Sequence, residues 1–170
     1  MRKLLVFFCA VAFIFGATGL AGATCIDFRT TNGGYYDFLL CDLYGPGLTG
    51  TKLLVTPIGG QIAWGSSGLG VTAPGDYKKL LDDGAGQGTE GLVLQFPTDV
   101  YLSEASFDYA HYMESFELIV DTVPVLDRQF GDHNPTLALQ LAGSTFVFTD
   151  GSHCDDEWSL AGICYEPVPE

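Results

Sequence analysis

Apolar and polar residues alternate with a period of two over much of this chain. Leu92, Leu94 and Phe96 alternate with Val93 and Gln95, and Ala105, Phe107 and Tyr109 alternate with Ser106 and Asp108. Phe116, Leu118 and Val120 repeat the pattern, with Ile119 making the second face partly apolar. Leu137, Leu139 and Leu141 follow it, as do Phe146 and Phe148. Successive side chains of a strand point to opposite faces, so this period predicts strands with one buried face. Gly, Asp and Pro separate the apolar segments, as turns between antiparallel strands require. Each apolar face needs another to cover it. The expected fold is therefore all-β, an antiparallel two-sheet sandwich of jelly-roll-like form.

The earlier part of the chain is less regular. Tyr35 to Leu43 and Lys52 to Thr56 read as strands, with Gly45-Pro46-Gly47 as a turn between them. The Gly/Ser-rich stretch from Gly65 to Gly70 reads as a loop, and Asp76 to Leu81 as a single helical turn. Glu104 to Phe116 admits a helical reading, but the spacing of Phe107 and Tyr109 favours strand. Neither an internal repeat nor a linker divides the chain, so one domain is expected.

The N-terminus changes the picture. Arg2 and Lys3 precede an unbroken apolar run from Leu4 to Phe15, and small residues then lead to Ala21-Gly22-Ala23 before Thr24. That is the layout of a secretory signal peptide cleaved after residue 23. The run is too short for a transmembrane helix, which needs about 20 residues. Cleavage would leave 147 of the 170 residues, enough to bury a hydrophobic core. Only Arg29, Lys52, Lys78, Lys79 and Arg128 would remain basic, five against 21 acidic residues, for a net charge of −16. Such a chain repels nucleic acid and anionic lipid at long range; cations, neutral glycans and basic surfaces are compatible partners.

Cys9 leaves with the leader, while Cys25, Cys41, Cys154 and Cys164 remain. An even number in an oxidising compartment predicts two disulfides. Of three possible pairings, proximity in sequence favours Cys25–Cys41 and Cys154–Cys164. A zinc site is disfavoured because no C-x2-C spacing occurs. A lipoprotein is rejected because Thr24 stands where a lipobox needs Gly, Ala or Ser.

The densest acidic feature runs from Asp82 and Asp83 through a Gly-rich stretch to Glu90. Hard cations take several oxygens, and a Gly-rich loop lets carboxylates and carbonyls converge, so Asp82, Asp83 and Glu90 are candidate Ca²⁺ ligands. The alternative is an Asx-type turn with solvated carboxylates. Asp155-Asp156-Glu157, beside His153, is a second acidic run that reads first as a solvated loop. His111, His133 and His153 show no ligand spacing and read as surface residues. Gly65-Ser66-Ser67-Gly68 does not match a nucleophile elbow, and Gly84, Gly86 and Gly88 lack the strand-to-helix context of a phosphate loop. No carboxylate pair stands out for glycoside hydrolysis. Trp64, Trp158, Tyr35, Tyr36, Tyr101, Tyr109 and Tyr112 are candidates for a sugar-stacking platform, or alternatively for core and half-buried sheet positions.

Several stretches in series carry a resemblance. Gly68-Leu69-Gly70-Val71 is followed by Leu81-Asp82-Asp83-Gly84-Ala85-Gly86, then by Glu90-Gly91-Leu92-Val93-Leu94-Gln95-Phe96. The strands at Val100-Tyr101-Leu102 and Phe116 to Asp121 come next. Near the end, Phe146-Val147-Phe148-Thr149 leads through Trp158 to Ile163 into Glu166-Pro167-Val168-Pro169-Glu170. This order resembles exported bacterial proteins of the PEP-CTERM (exosortase-sorted) type. The resemblance covers roughly residues 62–121 and 144–170. It implies export in a Gram-negative bacterium that makes extracellular polysaccharide, with sorting to the cell surface or matrix. It supplies no catalytic residue.

On this reading residues 1–23 are the leader, 24–166 the β-sandwich domain and 167–170 the start of a sorting-type tail cut short within V-P-E-P. A full-length chain with a transmembrane tail would meet the sorting machinery; an unsorted one would be periplasmic. The expected function is that of a non-enzymatic surface or matrix protein, with glycan and Ca²⁺ as candidate ligands and extracellular polysaccharide as candidate partner. The competing expectations are a secreted carbohydrate-active enzyme on a jelly-roll scaffold and a purely structural module.

Overall fold

A computed structural model describes residues 23–72, 81–82, 90–110, 114–150 and 157–168. Among them the protein is all-β, without a helix. The strands are β1 (Thr24–Asp27), β2 (Gly34–Tyr36), β3 (Leu39–Asp42), β4 (Lys52–Ile58), β5 (Gln61–Gly65), β6 (Gly68–Thr72) and β7 (Leu81–Asp82). They continue with β8 (Gly91–Asp108), β9 (Ser115–Val120), β10 (Val123–Gln129), β11 (Thr136–Asp150) and β12 (Glu157–Pro167). All pair antiparallel in one large sheet, whose main path runs β10-β9-β11-β8-β12-β6-β5-β2.

The alternation read from the sequence is present, but the short strands fuse. The segments at Leu92 and Ala105 belong to one strand, β8, and those at Leu137 and Phe146 to another, β11. Strand β8 runs beside β11 along most of its length. On its other edge it changes partner, pairing with β4 up to Gln95 and with β12 from Val100 onwards. The change falls at Phe96-Pro97-Thr98-Asp99. Pro97 offers no N–H to a ladder and belongs at such a break. Register shifts in β11 at Ala138/Leu141 and Gly143/Thr145 bend the partner strand to match.

One face of this sheet is apolar throughout. Leu92, Leu94, Phe96, Val100, Leu102, Ala105 and Phe107 of β8 are all buried. The bulges let the same face stay inward while the parity of the buried positions switches. Among the described residues no helix covers this face, and side chains from strands other than its hydrogen-bonded neighbours pack on it. Phe107 of β8 lies 5.0 Å, centroid to centroid, from Phe116 of β9, a strand to which this part of β8 is not hydrogen-bonded. Phe130 and Trp158 join the same cluster, at 4.9 and 5.3 Å from Phe107. The buried Trp158 indole donates to the Ser115 carbonyl at 3.1 Å, so its polar atom is satisfied inside the core.

Strand β12 is buried from Trp158 through Ile163 on both faces, as expected of a central strand. It also receives β1, with Cys25 directly opposite Cys164. These two cysteines form a disulfide. The pairing expected from sequence proximity, Cys25–Cys41 and Cys154–Cys164, is thus corrected. Topology brings the first strand beside the last, so a bond spanning 139 residues is a contact between adjacent strands. Cys41 on β3 is a half-buried free thiol, and burial pushes its ionisation above the ordinary thiol value. Cys154 lies outside the described residues.

The early region departs from expectation in two places. The expected strand from Tyr35 to Leu43 is divided, because Asp37 and Phe38 separate β2, which pairs with β5, from β3, which pairs with β4. The expected loop from Gly65 to Gly70 is a tight hairpin: Gly65 opposes Gly68, and Ser66-Ser67 alone form the turn. Gly68 has a φ of +116°, and a Cβ there would sit 2.3 Å from the Leu160 carbonyl oxygen. Glycine at that position lets the hairpin lie against β12. The helical turn expected at Asp76 to Leu81 falls largely outside the described residues, though Leu81 itself begins β7.

Candidate functional site

The hairpin of β5 and β6 sets up the site. Its Ser66-Ser67 turn lies beside the end of β8, where the chain leaves the sheet at Asp108, Tyr109 and Ala110. The buried Ser159 hydroxyl joins the two, lying 2.9 Å from the Ser67 carbonyl and 3.2 Å from the Asp108 carbonyl. The chain comes back at Asn134, whose N–H donates to the Ala110 carbonyl at 3.0 Å. Between these segments is a cleft of about 350 Å³ lined by Ser66, Ser67, Asp108, Tyr109, His133 and Asn134. A second, larger depression of about 700 Å³ shares Ser66, Ser67 and Tyr109 and extends past Trp64 to Tyr35, Thr30 and Thr31. The two adjoin at the shared residues Ser66, Ser67 and Tyr109 and are taken together as the groove.

Its walls are held from behind. The Trp64 indole N–H donates to the Phe28 carbonyl, and the ring meets Tyr36 edge-on at 5.9 Å and 63°. Thr30 N–H donates to the Gly65 carbonyl at 2.9 Å, tying the segment after β1 to the end of β5. Gly33 lies so close to the Trp64 carbonyl that a Cβ would approach it to 2.0 Å. Asp108 is gripped by Arg29 through two hydrogen bonds, Nε to Oδ2 at 2.8 Å and Nη2 to Oδ1 at 3.3 Å. The hydrogen bond to Asp108 is the main cause that holds the Arg29 guanidinium still more firmly in its charged form.

Among the groove residues, Tyr109 is a bulky side chain on a left-handed backbone. Its φ is +61°, in the left-handed region that costs a bulky side chain roughly 1–2 kcal/mol. In return its ring stands on the groove rim, 56 % exposed, and Tyr35 at the other end is 53 % exposed. Asn134, also left-handed with φ +48°, is a residue type that tolerates the conformation.

The candidate residues named from sequence thus separate. Tyr35, Trp64 and Tyr109 come together on the groove. Trp158 is wholly buried in the core, Tyr36 supports Trp64 from the side, and Tyr101 is exposed elsewhere, on a part of β8 opposite Ala142 and Glu166. Tyr112 lies outside the described residues. Of the candidate calcium ligands, Asp83 lies outside them, Asp82 belongs to β7 opposite Glu157 of β12, and Glu90 is buried immediately before the start of β8. Among the described residues no three His, Cys, Asp or Glu side chains are grouped to hold a metal ion. His133 lines the groove; His111 and His153 lie outside the described residues. Asp108 and Asn134 were not singled out by sequence reasoning, although Asn134-Pro135 is a turn signal that marks where the chain returns.

Chemically the groove offers exposed aromatic faces, several hydroxyls, one amide, one imidazole and one carboxylate already held by a guanidinium. That set suits recognition of a hydroxylated ligand by stacking and hydrogen bonding. Compared with protein-family models and with curated proteins, the chain matches none.

Proposed function

We propose that this protein is an exported, non-enzymatic component of the cell surface or extracellular matrix of a Gram-negative bacterium, and that its partner is extracellular polysaccharide. Its domain is a two-layer, jelly-roll-like sandwich whose layers share β8 and β11. The change of partner along β8 and the ring contacts between Phe107 and Phe116 support that arrangement.

The observation that carries the reading is the disulfide between Cys25 and Cys164. Cys25 would be the second residue after cleavage at Ala23, so the leader and the bond concern the same few residues. Disulfides persist in oxidising compartments and are rare in the cytosol. The resemblance to PEP-CTERM proteins supports surface or matrix sorting, with the sorting machinery as a second partner where a transmembrane tail follows.

Expression of the full chain in a Gram-negative host tests this. The expected product leaves the cytoplasm, begins at Thr24, and yields a linked Cys25–Cys164 peptide pair on non-reducing mapping. A cytoplasmic product that keeps residues 1–23 and has both thiols free would overturn it.

A further inference from the structure

We infer that the groove bounded by Tyr35, Trp64 and Tyr109 is a binding site for a neutral oligosaccharide, taken up without cleavage. The inference rests on the reading of extracellular polysaccharide as partner and names where on the molecule that contact is made.

Three features point to sugar. Pyranose rings present apolar C–H faces and a rim of hydroxyls, so they are recognised by flat aromatic surfaces flanked by polar groups. Tyr35 and Tyr109 stand more than half exposed, and half-buried Trp64 lies in the groove with them. What sets them apart from exposed aromatics elsewhere, such as Tyr44 and Tyr101, is that they line a depression together with polar groups. Around them are the hydroxyls of Thr30, Thr31, Ser66 and Ser67, and at one end the Asn134 amide and His133 imidazole. The lining is polar enough to disfavour a lipid chain and aromatic enough to differ from an ordinary solvated turn.

The groove is also preorganised. Trp64 is fixed by its indole N–H and by Tyr36, and the Ser66-Ser67 turn is fixed by Ser159. The left-handed backbone at Tyr109 is strained, yet the residue is neither Gly nor Asn. Strain of this kind is held by the surrounding structure and clusters at ligand clamps and binding sites. A rigid binding surface loses little conformational entropy on association.

Charge narrows the ligand. The mature chain is strongly acidic, which disfavours uronate-rich or sulfated chains. Among the described lining residues Asp108 is the single carboxylate, and it is already held by Arg29. Glycoside hydrolysis ordinarily needs two carboxylates across the scissile bond. Recognition, not hydrolysis, is what this set supplies.

The mature protein is titrated with three neutral probes (a β-glucan, a mannan and a galactan) and one acidic probe, alginate, by calorimetry and tryptophan fluorescence. The chain has two tryptophans, and Trp158 is sealed in the core, so Trp64 reports on the groove. The expected result is saturable binding of at least one neutral probe, with an emission change and reduced acrylamide quenching that both vanish in Trp64→Phe. Tyr35→Ala and Tyr109→Ala weaken binding by about tenfold or more, while Tyr101→Ala leaves it unchanged. Tyr35 is exposed on a short edge strand, so its variant folds even where a Trp64 variant does not. Failure of all three neutral probes to bind, equal binding of alginate, equal loss in Tyr101→Ala, or release of shorter sugars from the probe would each overturn the inference. An exported, disulfide-linked protein that binds none of the neutral probes removes this site and leaves the export reading standing. A cytoplasmic, leader-bearing protein that binds a neutral probe does the reverse.

Discussion

The molecule carries two aromatic groups of opposite fate. One, made by Phe107, Phe116, Phe130, Phe148 and Trp158, is sealed between strands, and its rings lie within about 5 to 6 Å of their neighbours. The other, made by Tyr35, Trp64 and Tyr109, faces outward along a groove. The two nearly touch in sequence, since Phe107 and Tyr109 end the same run. Both groups are rich in ring surface, yet only the first can contribute much to stability, because only its surface is removed from water. Aromatic content alone says nothing of role: Phe107 and Tyr109 share one parity, but β8 ends at Asp108 and the left-handed backbone at Tyr109 takes its side chain out of the pattern.

The sharpest way to break this contrast is to remove one ring from each group. Phe107→Ala leaves a cavity in contact with Phe116, Phe130, Phe148 and Trp158, and is expected to lower unfolding stability by about 3–5 kcal/mol. Tyr35→Ala removes a ring already half in water and is expected to stay within about 0.5 kcal/mol of the parent. Urea denaturation of both variants reads the difference directly. Equal losses would mean that the groove ring also holds the fold together, and the division into core and binding surface would be lost.

The disulfide separates the two groups in a second way. It closes a loop spanning 139 residues and joins β1 to β12, the strand that also carries Trp158. Its main effect is expected on the unfolded chain, whose entropy it restricts. Cys25→Ser with Cys164→Ser is expected to lower stability by about 2–4 kcal/mol without altering the affinity of the groove. Thermal unfolding in parallel with probe binding checks both halves. A variant that keeps full stability would show that adjacent-strand pairing alone secures the N-terminal strand.

How much of this was legible beforehand follows from the range of each signal. Period two is local, so the strands around Leu94, Phe107, Leu118, Leu139 and Phe148 could be read directly, and with them most of the core. Their fusion into β8 and β11 could not, because a bulge shifts the parity of the buried face and looks like a gap in the pattern. The cysteine partners depend on which strands lie side by side, a property of the whole topology. The hairpin at Gly65 to Gly68 reads as a loop in the sequence because glycines carry no side-chain pattern, although Gly68 is there for its close approach to Leu160. Within the groove, Tyr35, Trp64 and Tyr109 belonged to the expected aromatic set, but nothing in the sequence separated Trp64 from Trp158. Asp108 and Asn134 become meaningful only once β8 and β11 place their turns together.

Tyr109 offers a subtler test of the same contrast. If its strained backbone serves the groove and not the fold, Tyr109→Gly relaxes the left-handed φ and sacrifices only an exposed ring. Stability is expected to rise by about 0.5–1 kcal/mol while probe binding is lost. Opposite signs on the two readouts are the diagnostic. A fall in stability would show that the ring is part of the packing after all.

The smallest effect concerns two ionisable groups on the core side, half-buried Cys41 and buried Tyr165. Burial pushes the Cys41 thiol above its ordinary value of 9.0, and likewise the Tyr165 phenol above 10.0. The Tyr165 hydroxyl accepts from the Tyr44 N–H at 3.0 Å and donates to the Tyr44 carbonyl at 3.2 Å; burial is the main cause of the rise, and the backbone hydrogen bond to Tyr44 offsets part of it. Both groups bind their protons more tightly in the folded chain than in the unfolded one. Their contribution to stability is therefore complete below the ordinary values and is lost as pH rises towards and through the folded ones. Stability is expected to be level in the approach to pH 9 and to decline beyond it, first through the thiol and then through the phenol. Cys41→Ala should remove the earlier part of the decline and Tyr165→Phe the later part, each at some constant loss of packing or hydrogen bonding. Denaturation midpoints measured from about pH 8 to about pH 11 across both ordinary values give the curve. A stability that stayed level across that interval, or fell identically in both variants, would mean that neither group is held neutral by the core.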